Sequence, residues 1–135
     1  MDKKQTEAAA RRQATGQQAE DRALAYLEHQ GLSLVRRHYQ VARGPGRLGG
    51  EIDLIMRDRD GTLVFVEVRA RAQSGYGGAA ASVNAAKQRR LIWTAQHYLR
   101  GVPCWPPCRF DVVAITAGVL EWLPAAFEVH GVGRL

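Results

Sequence analysis

Hydrophobic and polar positions follow a helical period in two segments of the chain. Residues 16–29 carry apolar side chains three and four positions apart, and the pattern stops at Gly31. Thr15, followed three positions later by a glutamine, resembles a capping box at the start of this helix. Residues 83–100 show a second helical pattern, which ends at Gly101. The chain is therefore predicted to form two helices.

The segments between and after these two helices have strand-like patterns, because β-branched and aromatic residues cluster there between turn residues. The predicted strands cover residues 32–41, 51–58, 62–70, 108–115 and 119–123. Segments rich in glycine predict loops at residues 43–49 and 71–82. The order of elements predicts an α/β or α+β fold, with a mixed central sheet of four to five strands flanked by helices.

A chain of 135 residues is expected to form one compact domain. We expect a mobile N-terminal tail at residues 1–13, a single domain at residues 14–128 and a C-terminal tail at residues 129–135. No apolar run approaches the ~20 residues that a membrane helix needs, and the N-terminus lacks the apolar stretch of a secretory signal. The sequence thus predicts a soluble cytoplasmic protein without a membrane partner.

The formal net charge of +6 is unevenly distributed. No acidic residue lies between Glu67 and Asp111, whereas this segment contains seven of the basic side chains, so it should attract polyanions. A second acid-free stretch precedes Glu51. The residues expected to bind nucleic acid are Arg36, Arg37, Arg43, Arg47, Arg71, Lys87, Arg89 and Arg90. The alternative is that many of these are solvated surface charges.

The connection between the second and third strands predicts a hairpin with a defined register. Three residues ending in Gly61 form a common hairpin loop, with the glycine in the left-handed conformation. This loop closes on Asp58 opposite Thr62. Counting outward, Asp53 then faces Glu67 on the same side of the sheet, with Cβ atoms about 5 Å apart.

Two carboxylates in that position repel each other unless one is protonated or a cation lies between them. Oxygen ligands with room for water favour Mg²⁺ or Mn²⁺. An alternative register exists: if Asp60 and Gly61 formed a two-residue turn, Asp53 would lie opposite Val68 and the pair with Glu67 would separate.

Two further charged residues accompany the pair. Arg69 shares a face with Glu67, where its guanidinium could orient a phosphate or stabilise developing charge; it also faces Glu51, so a plain ion pair is the alternative. Glu20 falls on the apolar stripe of the first helix, four positions before Leu24. A carboxylate facing the core is costly, and the alternative is a side chain at the helix rim that points to water.

The two cysteines, Cys104 and Cys108, do not have the spacing of a zinc site. We interpret them as free thiols, with a disulfide or a shared metal site as the alternative.

Three motifs carry a family resemblance: GEIDLI at 50–55, FVEVR at 65–69 and RFDVV at 109–113. Together they resemble the YraN-like family of small bacterial proteins, over residues 14–128. The resemblance implies a restriction-endonuclease-like fold of the PD-(D/E)xK superfamily, similar to archaeal Holliday-junction resolvases.

The resemblance also implies roles for individual residues. Asp53 and Glu67 would be ligands of Mg²⁺ or Mn²⁺, and Glu20 would be the helical carboxylate that completes the metal site. Glu20, Asp53, Glu67 and Arg69 would form the catalytic set. Arg69 stands where the superfamily usually has lysine. Arginine keeps the charge but cannot lose its proton, so it is a poor general base.

The expected function is a metal-dependent endonuclease that hydrolyses DNA, including branched DNA such as Holliday junctions. Two alternatives stay open at this point: a non-catalytic nucleic-acid-binding module that kept the fold, and a protein-interaction subunit. DNA is the expected partner, and a homodimer would suit a two-fold substrate.

Overall fold

The computed structural model describes residues 3–47, 49–72 and 83–127 of the chain. Its elements are α1 (Lys3–His29), β1 (Ser33–Val41), β2 (Gly50–Arg57), β3 (Leu63–Arg71), α2 (Ala85–Leu99), β4 (Cys108–Thr116) and β5 (Val119–Phe127). The predicted loop at 71–82 lies almost wholly outside the described residues.

The five strands form one mixed sheet in the order β1-β2-β3-β4-β5. Only β3 and β4 are parallel; the other neighbours are antiparallel. A parallel pair needs a long crossover, and α2 lies in the connection between these two strands. The predicted α+β fold with a mixed central sheet is therefore confirmed.

The core has two parts, one associated with each helix. Residues of α2 such as Leu91 and Leu99 pack with Phe65 of β3, whereas Leu27 of α1 packs with Val64. Adjacent strand residues thus point into different clusters, as the period of a strand requires. Each helix covers its own face of the sheet.

Helix α1 begins at Lys3, so the predicted start near Gly16 is wrong. The predicted capping box depends on the Thr15 side chain, which lies outside the described part of the chain. The first turns are largely exposed. They contain alanine, glutamine, glutamate and arginine, which are strong helix formers, and no proline interrupts them, so propensity alone favours helix there. The division of the chain into a domain between two tails stays a prediction.

Strand β5 extends to Phe127, four residues beyond the predicted end. It passes through Pro124, which lacks a backbone N–H. Because β5 is an edge strand, one side of its backbone needs no partner, and a proline is tolerated there.

The hairpin between β2 and β3 has the predicted loop and register. Gly61 has a φ of 90°, in the left-handed region, and the N–H of Asp58 donates to the carbonyl of Thr62 at 2.9 Å. Arg57 pairs with Leu63 as the counting requires. The alternative two-residue turn is wrong.

A hydrogen-bonded cluster around a buried carboxylate links β4, β5 and the β2–β3 loop. Asp111 of β4 is fully buried and accepts hydrogen bonds from Arg109 Nε at 3.0 Å, Trp122 Nε1 at 3.0 Å and the N–H of Ala125 at 2.9 Å. Arg109 also donates to Asp58 at 2.8 Å. Since all these groups have partners, we assign the cluster a structural role.

Neither described helix is long and apolar enough to cross a membrane.

Candidate functional site

The β2–β3 ladder ends just before the two carboxylates that the hairpin register was predicted to place opposite each other. The last backbone pair is Leu54 with Val66. Beyond it, Oδ2 of Asp53 accepts a hydrogen bond from the N–H of Val68 at 2.8 Å. Asp53 and Glu67 are therefore not a regular cross-strand pair, and this part of the prediction is corrected. Past this point β3 continues along β4 to Arg71.

Glu67 is the most buried carboxylate of the site, with 6% of its surface exposed. Its Oε1 lies 3.5 Å from Arg69 Nε and 3.6 Å from Lys87 Nζ, and its Oε2 has no hydrogen-bond partner among the described residues. Burial, and next the charge of Asp53, raise the pKa of Glu67 to about 7. The two nearby cations thus leave this buried carboxylate under-compensated.

Asp53 lies close enough to Glu67 for their charges to interact. Burial raises the pKa of Asp53, and the hydrogen bond from Val68 opposes this effect. Two partly desolvated carboxylates therefore lie near each other on neighbouring strands, and the pKa of each is raised. A nearby cation would favour their charged forms.

Glu20 approaches Asp53 from α1. Its side chain is 13% exposed, and its Oε1 lies 3.3 Å from His38 Nε2. This contact lacks hydrogen-bond geometry, and the atom has no hydrogen-bond partner among the described residues. Burial raises the pKa of Glu20, followed by the charge of Asp53. The alternative that Glu20 points to water is wrong.

The predicted alternative of an ion pair between Glu51 and Arg69 is not found among the described contacts. Glu51 instead contacts His38 at 3.1 Å and Gln40 at 3.3 Å, while Arg69 contacts Glu67.

His38 is the functional candidate that the sequence did not reveal. It lies within β1 with a φ of 53°, and its ring stands between Glu51 and Glu20. The hydrogen bond to Glu51 is the main cause that raises the pKa of His38. The strand pattern placed this residue in an ordinary extended conformation, so the only available signal was that histidine tolerates positive φ better than most residues.

The donor set fits a hard divalent cation. The centre offers carboxylate oxygens only, one of them buried and unpaired at Glu67. No group of three or more histidine, cysteine, aspartate or glutamate side chains within the described ranges is arranged to hold a metal. A cation bound by Asp53 and Glu67 would therefore take its other ligands from water or phosphate, as Mg²⁺ prefers. Cys104 and Cys108 are free thiols, as expected.

A groove of about 610 Å³ lies beside this centre, between the start of β2 and helix α2. Gln40, Glu51, Lys87 and Arg90 are among its lining residues. Lys87 also contacts Glu67, so this residue connects the groove with the carboxylate centre.

Helix α2 can approach β2 closely because Gly50 has no side chain. A Cβ atom at this position would collide with Oγ1 of Thr94. Thr94 is itself fixed by donating to the carbonyl of Arg90 at 2.7 Å. The glycine thereby sets the distance from which α2 presents Lys87 to the centre.

The structure brings some of the predicted nucleic-acid-binding residues to the groove and leaves others elsewhere. Lys87 and Arg90 line it. Arg43, on the loop after β1, packs over the ring of Trp93 on α2 at 4.2 Å. Arg37 is engaged by Asp21 at 2.8 Å. Of the remainder, Arg36, Arg47 and Arg89 are exposed, and Arg71 is the last residue of β3.

Comparison with known proteins gives a consistent family match. The model of the uncharacterised protein family UPF0102 matches residues 19–115. A UPF0102 protein from Paracidovorax citrulli is 60% identical over 115 residues, which cover 85% of this chain and 83% of the relative. A UPF0102 protein from Methylibium petroleiphilum is also 60% identical, over 85% of this chain and 94% of the relative. One from Cupriavidus taiwanensis is 57% identical over 122 residues, or 90% and 88% of the two chains.

The matched segment contains Glu20, Asp53, Glu67 and Lys87, so the whole carboxylate centre lies within it. The identities extend over most of both chains in each comparison. The chain belongs to the UPF0102 family, the YraN-like family that its three motifs resemble.

Proposed function

We propose that this protein is a Mg²⁺- or Mn²⁺-dependent endonuclease that hydrolyses phosphodiester bonds of DNA, with branched DNA such as four-way junctions among its substrates. The observation that carries the proposal is the buried, unpaired Oε2 of Glu67 beside Asp53, close to a groove whose lining includes Lys87 and Arg90. A desolvated carboxylate pair without enough compensating charge is typical of a cation site.

Asp53 and Glu67 are the residues that would hold the cation. The hydrogen bond from Val68 fixes one oxygen of Asp53, which leaves the other available. When bound, a divalent ion would lower the pKa of a water and neutralise charge on the phosphate. Glu20 adjoins Asp53 from α1 and supports the same centre.

Lys87 and Arg69 supply positive charge on the other side of Glu67, at 3.6 and 3.5 Å from Oε1. Both can orient the scissile phosphate and stabilise the charge that develops on its oxygens. Arg69 cannot serve as a base. A lysine ammonium is nevertheless present at the centre, because α2 delivers Lys87 from outside the strand motif.

The groove provides a path for the DNA backbone toward these residues. Lys87 and Arg90 line it, and Arg43 packs at the neighbouring face of α2. Such contacts bind phosphates without reading bases, so affinity should fall steeply with salt and depend little on sequence.

The direct test is incubation of the purified protein with Mg²⁺ or Mn²⁺ and linear, nicked, flapped and four-way DNAs. We expect cleavage that is abolished by EDTA and by Asp53→Asn. The matched control is Glu28→Gln, an exposed carboxylate near the end of α1. Cleavage unchanged in Asp53→Asn would overturn the assigned site.

Two other results would replace the proposal. DNA binding without cleavage under any of these conditions would identify a non-catalytic nucleic-acid-binding module, which is the reading that Arg69 favours. Absence of both DNA and Mn²⁺ binding in calorimetry would instead favour a protein-interaction subunit.

A further inference from the structure

The backbone of β1 is irregular at one residue beside the carboxylates. Arg37 pairs with Leu54 and Tyr39 pairs with Ile52, but His38 between them has a φ of 53°. A non-glycine residue rarely adopts this conformation inside a strand, because its Cβ crowds the backbone. Such residues concentrate at functional sites, where the surrounding structure holds them in place.

The conformation of His38 directs its ring between two carboxylates from different elements. Nδ1 lies 3.1 Å from Oε1 of Glu51 on β2, and Nε2 lies 3.3 Å from Oε1 of Glu20 on α1. The ring therefore contacts one acid of β2 and one acid of α1.

The residue before His38 makes a second contact between β1 and α1. Arg37 donates to Asp21 at 2.8 Å, so two consecutive residues of β1 contact two consecutive acids of α1. Asp21 is exposed, whereas Glu20 is largely buried beside Asp53. Only the His38 link therefore reaches the carboxylate centre.

We propose that His38 is a positioning residue that holds Glu20 and Glu51 in fixed places beside Asp53. Its ring lies between the two acids, and its left-handed backbone places one ring nitrogen beside each of them. The consequence for metal binding rests on the proposed function; the positioning of the two acids does not. Residues that orient the groups around a metal centre typically change metal affinity by about 10–100-fold when they are replaced.

The metal-binding arm of the test compares two variants that accept a positive φ. His38→Gly removes the ring, and His38→Asn leaves a shorter side chain that can reach only one carboxylate. The matched control is Ala117→Gly in the β4–β5 turn, where an alanine has a φ of 49°. By titration calorimetry with Mn²⁺, we expect His38→Gly to weaken binding by about 10–100-fold, His38→Asn to weaken it less, and the control to match the wild type. Mn²⁺ affinity in His38→Gly within a factor of two of wild type would overturn the proposal.

The second arm is carried out without metal, so that it decides the proposal even if the wild type binds no Mn²⁺ and the proposed function fails. The ¹⁵N resonances of the His38 ring are recorded in EDTA for wild type, Glu20→Gln and Glu51→Gln. We expect Glu51→Gln to shift Nδ1 and Glu20→Gln to shift Nε2, because each carboxylate contacts one nitrogen. Ring resonances that stay at their wild-type positions in both variants show that His38 holds neither acid.

Discussion

The carboxylate of Asp53 accepts a hydrogen bond at 2.8 Å from the backbone N–H of Val68, just past the last pair of the β2–β3 ladder. The Asp53 side chain thus accepts the hydrogen bond that a backbone carbonyl would accept in a regular ladder. The residue that closes the gap between the strands is also the one assigned to hold a cation. Its structural and chemical roles can be separated by substitution.

Asp53→Asn and Asp53→Ala should affect stability differently. The asparagine carbonyl oxygen can still accept from Val68, so Asp53→Asn should be as stable as wild type or more stable, since a repelling charge is removed. Asp53→Ala leaves the Val68 N–H without this partner and should cost about 1–3 kcal/mol. Urea denaturation in EDTA measures both. Equal stability of the two variants would show that the hydrogen bond contributes nothing.

The Glu67 carboxyl should make the metal-free protein less stable as the pH rises. Its pKa is raised from an ordinary value of 4.5 to about 7. A raised pKa means that the fold favours the protonated form, so this stabilisation is complete below pH 4.5 and is lost as the pH rises through 7. The loss is at most about 3.5 kcal/mol, at about 1.4 kcal/mol per pKa unit.

Denaturation of wild type and Glu67→Gln between pH 4 and 8.5 in EDTA isolates this effect. The stability of wild type relative to Glu67→Gln should decline across that window, because glutamine does not titrate. Mn²⁺ should restore the wild type at pH 8 and leave Glu67→Gln unchanged. A pH-independent difference between the two proteins would contradict the prediction.

Removing the Lys87 ammonium should lower the cleavage rate much more than replacing Arg69 by lysine changes it. Lys87→Met removes an ammonium 3.6 Å from Glu67 while keeping the aliphatic stem, and should lower the cleavage rate about 100-fold or more. Arg69→Lys keeps a cation at its place and should change the rate little. The control is Arg100→Met, at the exposed end of α2. A large gain of activity in Arg69→Lys would show that the reaction needs a lysine at that strand position.

Gly50→Ala should push α2 away from β2. The added Cβ would meet Thr94 Oγ1, so we expect the free energy of unfolding to fall by about 1–3 kcal/mol. The contact between Lys87 and Glu67 should also weaken. Thr94→Ala in the same chain should recover part of the loss.

Gly16→Ala is the opposite case: its Cβ would have open space within α1, and it should stabilise by about 0.5–1 kcal/mol. Thermal melts compare all three.

Local chemistry explains which features could be predicted from the sequence. Gly61 imposes a left-handed turn, and the turn then determines every pair up to Leu54 and Val66. The glycine at 118 similarly marks the β4–β5 turn. In each case the residues that decide the conformation are neighbours along the chain.

The remaining features depend on contacts between distant residues. The β2–β3 ladder ends before Asp53 while β3 continues along β4, a strand distant in the sequence, and no local pattern encodes this arrangement. The ring of His38 contacts acids on α1 and β2, which are distant from it along the chain. Glu20 was ambiguous for the same reason, since a position on the apolar stripe does not reveal what the helix faces.

The irregular course of β1 also has a consequence for encounters between molecules. β1 is an edge strand of the sheet, with a register shift between Leu34 and Arg36 and the left-handed turn of the chain at His38. An edge interrupted twice offers no long, regular row of N–H and C=O groups to another chain, and arginines along it add repulsion between copies. The irregular backbone that places His38 beside Glu20 and Glu51 therefore also disfavours strand-to-strand aggregation at this edge. A homodimer would have to form through side chains, or through another surface, rather than by continuing the sheet across β1.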